Sequence, residues 1–353
     1  MFQRAQSQRR DSFICIILLF YMIYSAAVGR TPFEIFFSLY VVGAFFLGLV
    51  TSPSTFHFFT TRLSILIWIT AVIGVSINSV VEMPWAGTSF IVNDVVTVTS
   101  RVWEDFGVSR LAGFARSSDN AANQIAITAV ALLCLTTSVI SFAGVATIST
   151  YVIYLTTSKG PLLAFLICVV MAACYHWLRF AHKPRHFKLL TLVLGLTAII
   201  IMILLPLFPA TALNQLNSFL GGVGNTTNSF KVRLTEMWPN AFLLVELDQN
   251  PIEYIFGRGI GGIGAVQFVG RYLHPNSADN LFVFLYVSVG LFALPLLTML
   301  LLSLARTQPQ MPAISAAVAL MLLYTLIACI TNGGLETIVI AFVLGYGMSA
   351  QRN

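Results

Sequence analysis

Charge is what this chain has least of. Only 9% of its 353 residues are Asp, Glu, Lys or Arg, and 58% are hydrophobic, against roughly 25% charged in an average soluble domain. That composition excludes a water-soluble globule and indicates a polytopic membrane protein. Alternating segments of ~10 residues, the mark of a membrane barrel, are missing. So are any repeat of solenoid period and any low-complexity tract. The cysteines Cys15, Cys134, Cys168, Cys174 and Cys329 are odd in number and all sit in apolar runs. They fit neither a disulfide framework nor a metal site and read as small packing residues. No two histidines have metal-ligand spacing. Gly107-Val-Ser109 does not continue into a nucleophile elbow, which leaves a serine hydrolase unsupported. The net charge of +6 is scattered along the chain, which argues for membrane topology and against nucleic acid.

What is abundant is spanning-length apolar sequence. Runs at 12–29, 33–50, 63–82, 121–139, 141–157, 160–178, 189–208, 279–305, 313–330 and 337–350 approach the ~20 residues that a bilayer core requires. The expectation is an all-α polytopic membrane protein of about 10 transmembrane helices, forming one integral-membrane domain over 1–353. The first run follows Arg4, Arg9 and Arg10 as a signal peptide would. It has no small-residue cleavage site before Arg30 and is read as the first span. If the helices alternate, those arginines, Arg62, the cluster Arg179, Lys183, Arg185 and Lys188, and then Arg306 and Arg352 share one side. By the positive-inside rule that side, with both termini, is cytoplasmic. Most acids fall on the other side.

Two segments on the outer side are long, 83–120 and 209–277, and too apolar to be disordered. Within the second, Phe230–Trp238 and Ala241–Glu246 mix polar and apolar residues at helical spacing and suggest short interfacial helices. Several cations also map to the outer side: Arg110, Arg116, Lys159, Arg233 and Arg258. Interfacial arginines and a snorkelling lysine are one account of them. Convergence on a phosphate-bearing ligand is the other, because guanidinium groups bind phosphate through directional, paired hydrogen bonds. The series Gly257, Gly259, Gly261, Gly262 and Gly264 fits a dinucleotide fingerprint superficially but lacks a strand before it; a turn or close backbone packing suits it better. His274 precedes a proline and reads equally as a loop residue, and Asp279 equally as the N-cap of the following helix.

Taken in order, these features resemble the O-antigen polymerase and ligase superfamily. The resemblance rests on Arg110-Leu-Ala-Gly113-Phe114, the turn Thr156-Thr-Ser-Lys159-Gly160, Arg233 followed by Trp238, the glycines from Gly257 to Gly261, and Asp279-Asn280 ahead of Gly290-Leu291. It covers roughly residues 105–295. Two positions depart from the family pattern: Lys159 stands where an arginine is usual, and Asp279 where a histidine is usual. The second departure favours a polymerase over a ligase.

The resemblance implies the architecture of the GT-C-like membrane glycosyltransferases and transfer of a glycan from an undecaprenyl-diphosphate carrier to a sugar hydroxyl. Such transfer takes place at the outer face of the bacterial inner membrane, with no cofactor and no metal. It assigns Arg233, Asp279 and His274 catalytic roles. Arg110, Arg116, Lys159, Trp238, Arg258 and Asn280 are assigned to the substrate. The implied partners are the lipid-linked oligosaccharide, the bilayer, and the chain-length regulator and flippase of the same pathway. A ligase using the same donor remains open, as does a transporter or lipid flippase. The transporter reading calls for mid-helix charges and an inverted repeat, and neither is evident. On this reading Arg233→Ala abolishes product while the protein stays in the membrane, and Arg271→Ala, in the same segment, is tolerated. Product assay and membrane immunoblot check both; equal loss from the two would point to folding of the segment.

Overall fold

The computed structural model describes residues 2–92, 95–98, 100, 104–105, 108–181, 184–208, 228–245, 251–269, 276–305 and 312–349. The chain begins with α1 (Phe2–Ala27), α2 (Pro32–Val41) and α3 (Gly43–Val50). A helix of 26 residues, Pro53–Asn78, follows; it consists of α4 (Pro53–Phe58), a π turn (Phe59–Leu63) and α5 (Ser64–Asn78). Next come two small antiparallel hairpins, β1 (Ser89–Val92) with β2 (Val95–Val98) and β3 (Glu104–Asp105) with β4 (Val108–Ser109). The helices α6 (Ser118–Leu135), α7 (Val139–Leu155), α8 (Lys159–Phe180) and α9 (Pro184–Leu204) then run in succession. The later elements are α10 (Asn228–Val232), a π turn (Arg233–Met237), α11 (Trp238–Leu243), α12 (Pro251–Phe256) and α13 (Ala265–Val269). They are followed by α14 (Leu281–Val289), α15 (Ala293–Leu304), α16 (Pro312–Ala328) and α17 (Ile338–Ser349).

Each apolar run of the sequence is helical over most of its length. Among the described residues, four helices are long and apolar enough to cross a membrane: Pro53–Asn78, Lys159–Phe180, Arg185–Leu207 and Leu281–Leu304. A fifth is added if α2 and α3, bent by 55° at their junction, count as one span. Shorter apolar helices occupy Cys15–Ala27, Val139–Leu155, Ala313–Ala328 and Ile338–Ser349. The 18-residue α6 stands apart because Asp119, Asn120, Asn123 and Gln124 dilute its hydropathy. Of the expected ~10 spans, four or five meet that measure of length and hydropathy among the described residues, and the other apolar runs form helices that do not. In 83–120 the hairpin of β1 and β2 is rich in β-branched residues, which suit pleated backbone.

The contacts divide the chain into two compact units. One comprises 1–43, 200–298 and 329–336; the other comprises 44–199, 299–328 and 337–353. In the second unit α6 is the core. Ala122, Ile125, Ile127, Val130, Ala131 and Leu133 are all buried, on more than one face, as in a helix surrounded by others. Its alanines let α5, α8 and α16 approach closely, the usual basis of helix packing where lipid removes any hydrophobic drive between helices. Polar side chains tie the unit together: Trp68 Nε1 donates to Ser149 Oγ at 2.8 Å, and Tyr324 Oη to Asn123 Oδ1 at 2.7 Å. Gly48 abuts the Phe342 carbonyl and Gly345 the Phe45 carbonyl, so α3 and α17 touch backbone to backbone. Of the cysteines, Cys134, Cys168 and Cys329 are buried free thiols, Cys174 is half-buried and Cys15 exposed.

Because backbone opposes backbone at Gly345, no rotamer relieves an added side chain. Gly345→Val is expected to cost about 1–3 kcal/mol, the usual penalty of overpacking. Thermal unfolding of the detergent-solubilised protein would register it, with Gly144→Val, at a glycine with open space around its Cβ position, as the tolerated control.

Candidate functional site

The first unit brings two sequence-predicted residues together. Arg233 opens the π turn that joins α10 to α11. The turn has a local cause: Pro239 has no N–H for the carbonyl four residues back and its ring crowds that carbonyl, so the chain widens there. The sequence suggested two short helices in this region, and the described stretch is continuous from α10 through the π turn into α11. Opposite Arg233 stands Asp279, at the entry to α14. Arg233 donates to Asp279 Oδ2 through Nε at 3.2 Å and Nη2 at 3.0 Å. Ser277 Oγ donates to Asp279 Oδ1 at 2.8 Å. Both side chains of the ion pair are partly exposed, 22% and 32%. Solvent screening keeps such a pair's contribution to stability small; its weight lies in geometry.

That geometry requires unusual backbone. Ala278 and Asp279 have φ of 66° and 38°, a left-handed conformation that disfavours a Cβ by about 1–2 kcal/mol per residue. Asn276 holds the turn in place. Its Oδ1 accepts from Ala278 N at 2.8 Å, and its Nδ2 donates to the Met237 carbonyl at the end of the π turn, at 2.6 Å. Asn276 N donates to Gln267 Oε1 at 2.8 Å, while its carbonyl accepts from Gly264 N at 2.9 Å. The turn of Asp279 is thus fixed to the turn of Arg233. The N-cap of α14 is Asn280, not Asp279: Asn280 Oδ1 accepts from Val283 N at 3.1 Å. Asn280 Nδ2 donates to the Met202 and Ile330 carbonyls at 3.1 and 3.0 Å. Asn280 is fully buried and adjoins Asp279 in the chain. Trp238 is also fully buried, edge-on to Phe230, and its ring anchors α11.

The glycine run is a packed loop. Gly257, Gly259, Gly261 and Gly264 all have positive φ, and at Gly257 an added Cβ would strike the Ser288–Val289 backbone. Its amides are already engaged: Arg258 N donates to Val287 O at 2.7 Å, Gly259 N to Ser288 O at 3.1 Å and Ile260 N to Ser25 Oγ at 2.7 Å. A phosphate cradle would need those donors. Arg258, counted with the substrate-binding cations, turns to Glu253, with Nε 3.7 Å from the carboxylate and both side chains mostly buried.

Arg110, Arg116 and Lys159 belong to the other unit. Asn78 Oδ1 accepts from Ala112 N and Gly113 N at 3.1 and 3.0 Å. These bonds dock the Arg110–Phe114 segment on the end of α5, and Gly113, at φ 58°, meets the backbone of Gly74. Arg110 is half-buried and Arg116 exposed. Lys159 is the exposed first residue of α8 and follows Thr157, at φ 58°. His274 and Arg271 lie outside the described residues. Among the described residues no three His, Cys, Asp or Glu side chains form a metal-binding group.

Residues 142–298 match the sequence model of a family described as O-antigen ligase. That match supports the resemblance to the O-antigen polymerase and ligase superfamily over this stretch. Comparison with curated proteins and with solved structures found no match. The superfamily stretch holds Lys159, Arg233, Trp238, Arg258, Asp279 and Asn280 and excludes Arg110 and Arg116. The match supports glycan transfer only at the level of a general class.

Residues that sequence reasoning missed are Ser277, Asn276 and Gln267, whose roles rest on pairing across the chain, and Glu34. For Glu34 a signal existed. Thr31-Pro-Phe-Glu34 is a capping-box sequence with proline in the first turn, and both reciprocal capping bonds form. Asn280→Ala would remove the cap and leave two buried carbonyls without their donor. A loss of about 2 kcal/mol or more follows, measured as a drop in thermal stability, whereas Asp279→Ala, at a half-exposed site, should change stability far less.

Proposed function

We propose that this protein is a polysaccharide polymerase. It transfers a glycan from an undecaprenyl-diphosphate carrier to a sugar hydroxyl of a lipid-linked repeat unit, at the outer face of the bacterial inner membrane, with both termini cytoplasmic. The observation that carries the reading is the Arg233–Asp279 pair, a guanidinium and a carboxylate in contact, partly open to solvent and inside the superfamily stretch. The acceptor hydroxyl oxygen attacks the anomeric carbon. The bond from that carbon to the diphosphate oxygen breaks, and the diphosphate leaves with the electron pair. Arg233 stabilises the charge that develops on it, because a preorganised guanidinium strengthens as charge builds up. By the resemblance, Lys159, Arg110 and Arg116, all in the other unit, are proposed as substrate-binding residues.

Asp279 receives or orients the hydroxyl proton. Its two oxygens retain lone pairs beyond those used by Arg233 and Ser277, so a hydroxyl can still bind there. His274 remains a proposed alternative for the proton. Arg258, tied to Glu253, is proposed to hold the glycine loop and not the substrate.

A ligase that hands the same glycan to a lipid or protein acceptor is the second reading, favoured by the description of the matched family. Incubating the purified protein with a synthetic undecaprenyl-diphosphate repeat unit and resolving product by length separates the two. A ladder is expected for a polymerase. Retained donor binding without a ladder would shift the assignment to a ligase lacking its acceptor. Arg233→Lys is expected to lower turnover by at least ~100-fold, of the order seen when one donor that stabilises developing charge is removed, since the point charge loses the guanidinium's fork.

A further inference from the structure

Residues 329–336 link α16 to α17. They lie outside the superfamily stretch, yet they belong to the same compact unit as Arg233 and Asp279. They are fastened directly to the turn that carries Asp279. Leu281 N donates to the Cys329 carbonyl at 3.0 Å, and Asn280 Nδ2 to the Ile330 carbonyl at 3.0 Å. Gly333 lies against the Ser277 carbonyl, 3.5 Å from where a Cβ would stand. Glu336 accepts from Ala265 N, at the start of α13. Thr331 therefore follows one partner of a hydrogen bond whose other partner, Asn280, follows Asp279.

Burial sorts this turn by chemistry. Gly333, Gly334 and Leu335 face inward, while Thr331, Asn332 and Glu336 are half-exposed. Residues 329–336 hold no lysine or arginine and one carboxylate, so the turn repels a diphosphate and cannot serve the donor's leaving group. A hydroxyl, an amide and a carboxylate side by side match the donors and acceptors of sugar hydroxyls. Charge thus separates a cationic side at Arg233 from an uncharged-to-acidic side at this turn.

We propose that residues 329–336 form the acceptor-binding side of the site, with Thr331, Asn332 and Glu336 recognising hydroxyls of the acceptor sugar. The inference rests on the glycan-transfer reading and adds to it where the acceptor is selected. Because the turn lies beyond the superfamily stretch, it is a place where acceptor choice can vary while donor chemistry does not.

The test uses the full-length protein in lipid nanodiscs with a synthetic undecaprenyl-diphosphate repeat unit as donor. A free repeat-unit oligosaccharide serves as acceptor, with a lipid-anchored core oligosaccharide in a parallel series. Donor KM and acceptor KM are measured separately. Thr331→Val keeps the shape and removes the hydroxyl. Asn332→Asp keeps the oxygen that accepts from Gly334 N, and Glu336→Gln keeps an acceptor for Ala265 N. Each is expected to raise acceptor KM by about tenfold, the value of one sugar hydrogen bond, with donor KM within about twofold of wild type. Unchanged acceptor KM in all three would overturn the inference. So would parallel loss in donor KM, acceptor KM and thermal stability, which would make the turn merely structural. Failure of the wild type to transfer to either acceptor would sink the glycan-transfer reading, and this inference with it, before any variant is read.

Discussion

The meeting of Arg233 and Asp279 depends on one buried amide. Asn276 spends every polar group it has on fixing two turns against each other: its amide nitrogen on Gln267, its carbonyl on Gly264, its Oδ1 on Ala278 and its Nδ2 on Met237. Two consecutive left-handed residues would not persist at 278 and 279 unless their surroundings over-determined them. A fully satisfied buried network supplies that determination, because each bond polarises the next and none can be exchanged for water without loss. The glycine loop enters the same network through Gly262 and Gly264. Its role is therefore to carry rigidity to the ion pair, and its amides are engaged for that purpose.

The membrane accounts for much of the remainder. Large apolar side chains such as Tyr40, Ile140 and Phe180 are exposed on the outside of their helices, which is tolerable where lipid is the solvent. Helices that share a lipid environment gain little by hiding leucine from it, so cohesion passes to small residues and to polar side chains. The reciprocal glycine contacts of α3 and α17, and the alanine-rich α6 with Asn123 bonded to Tyr324, show that logic within the second unit. A polar α6 would be costly facing lipid; surrounded by α5, α8 and α16, its amides have partners.

How much of this was legible in the sequence follows the range of the interaction responsible. Apolar runs, read against bilayer thickness, located the helices because hydropathy is a local property. The capping box at Thr31 to Glu34 is local as well. The break between α2 and α3 has no such local hydropathy signal. The partners of the arginines differ in range: Arg258 belongs to Glu253 five residues earlier, whereas Arg233 finds Asp279 across 46 residues. The alternative reading of Asp279 as a helix cap fails for a subtler reason. Asp and Asn are both good caps, and only the backbone decided that Asn280 takes the extended φ of −160° while Asp279 turns left-handed.

The aspartate where the superfamily pattern has histidine also changes what the site is when empty. Asp279 neutralises Arg233 at 3.0 Å, which a neutral imidazole would not do. A diphosphate carries more charge than a carboxylate and offers several oxygens, so it competes well for the same fork. To the extent that it succeeds, Asp279 loses its strongest hydrogen-bond donor and keeps Ser277. Under the proposed function, donor binding and carboxylate release would be one exchange reaction, with the proton acceptor becoming available in step with the leaving group's arrival. The departure from histidine would then trade a ready base for a pre-aimed cation.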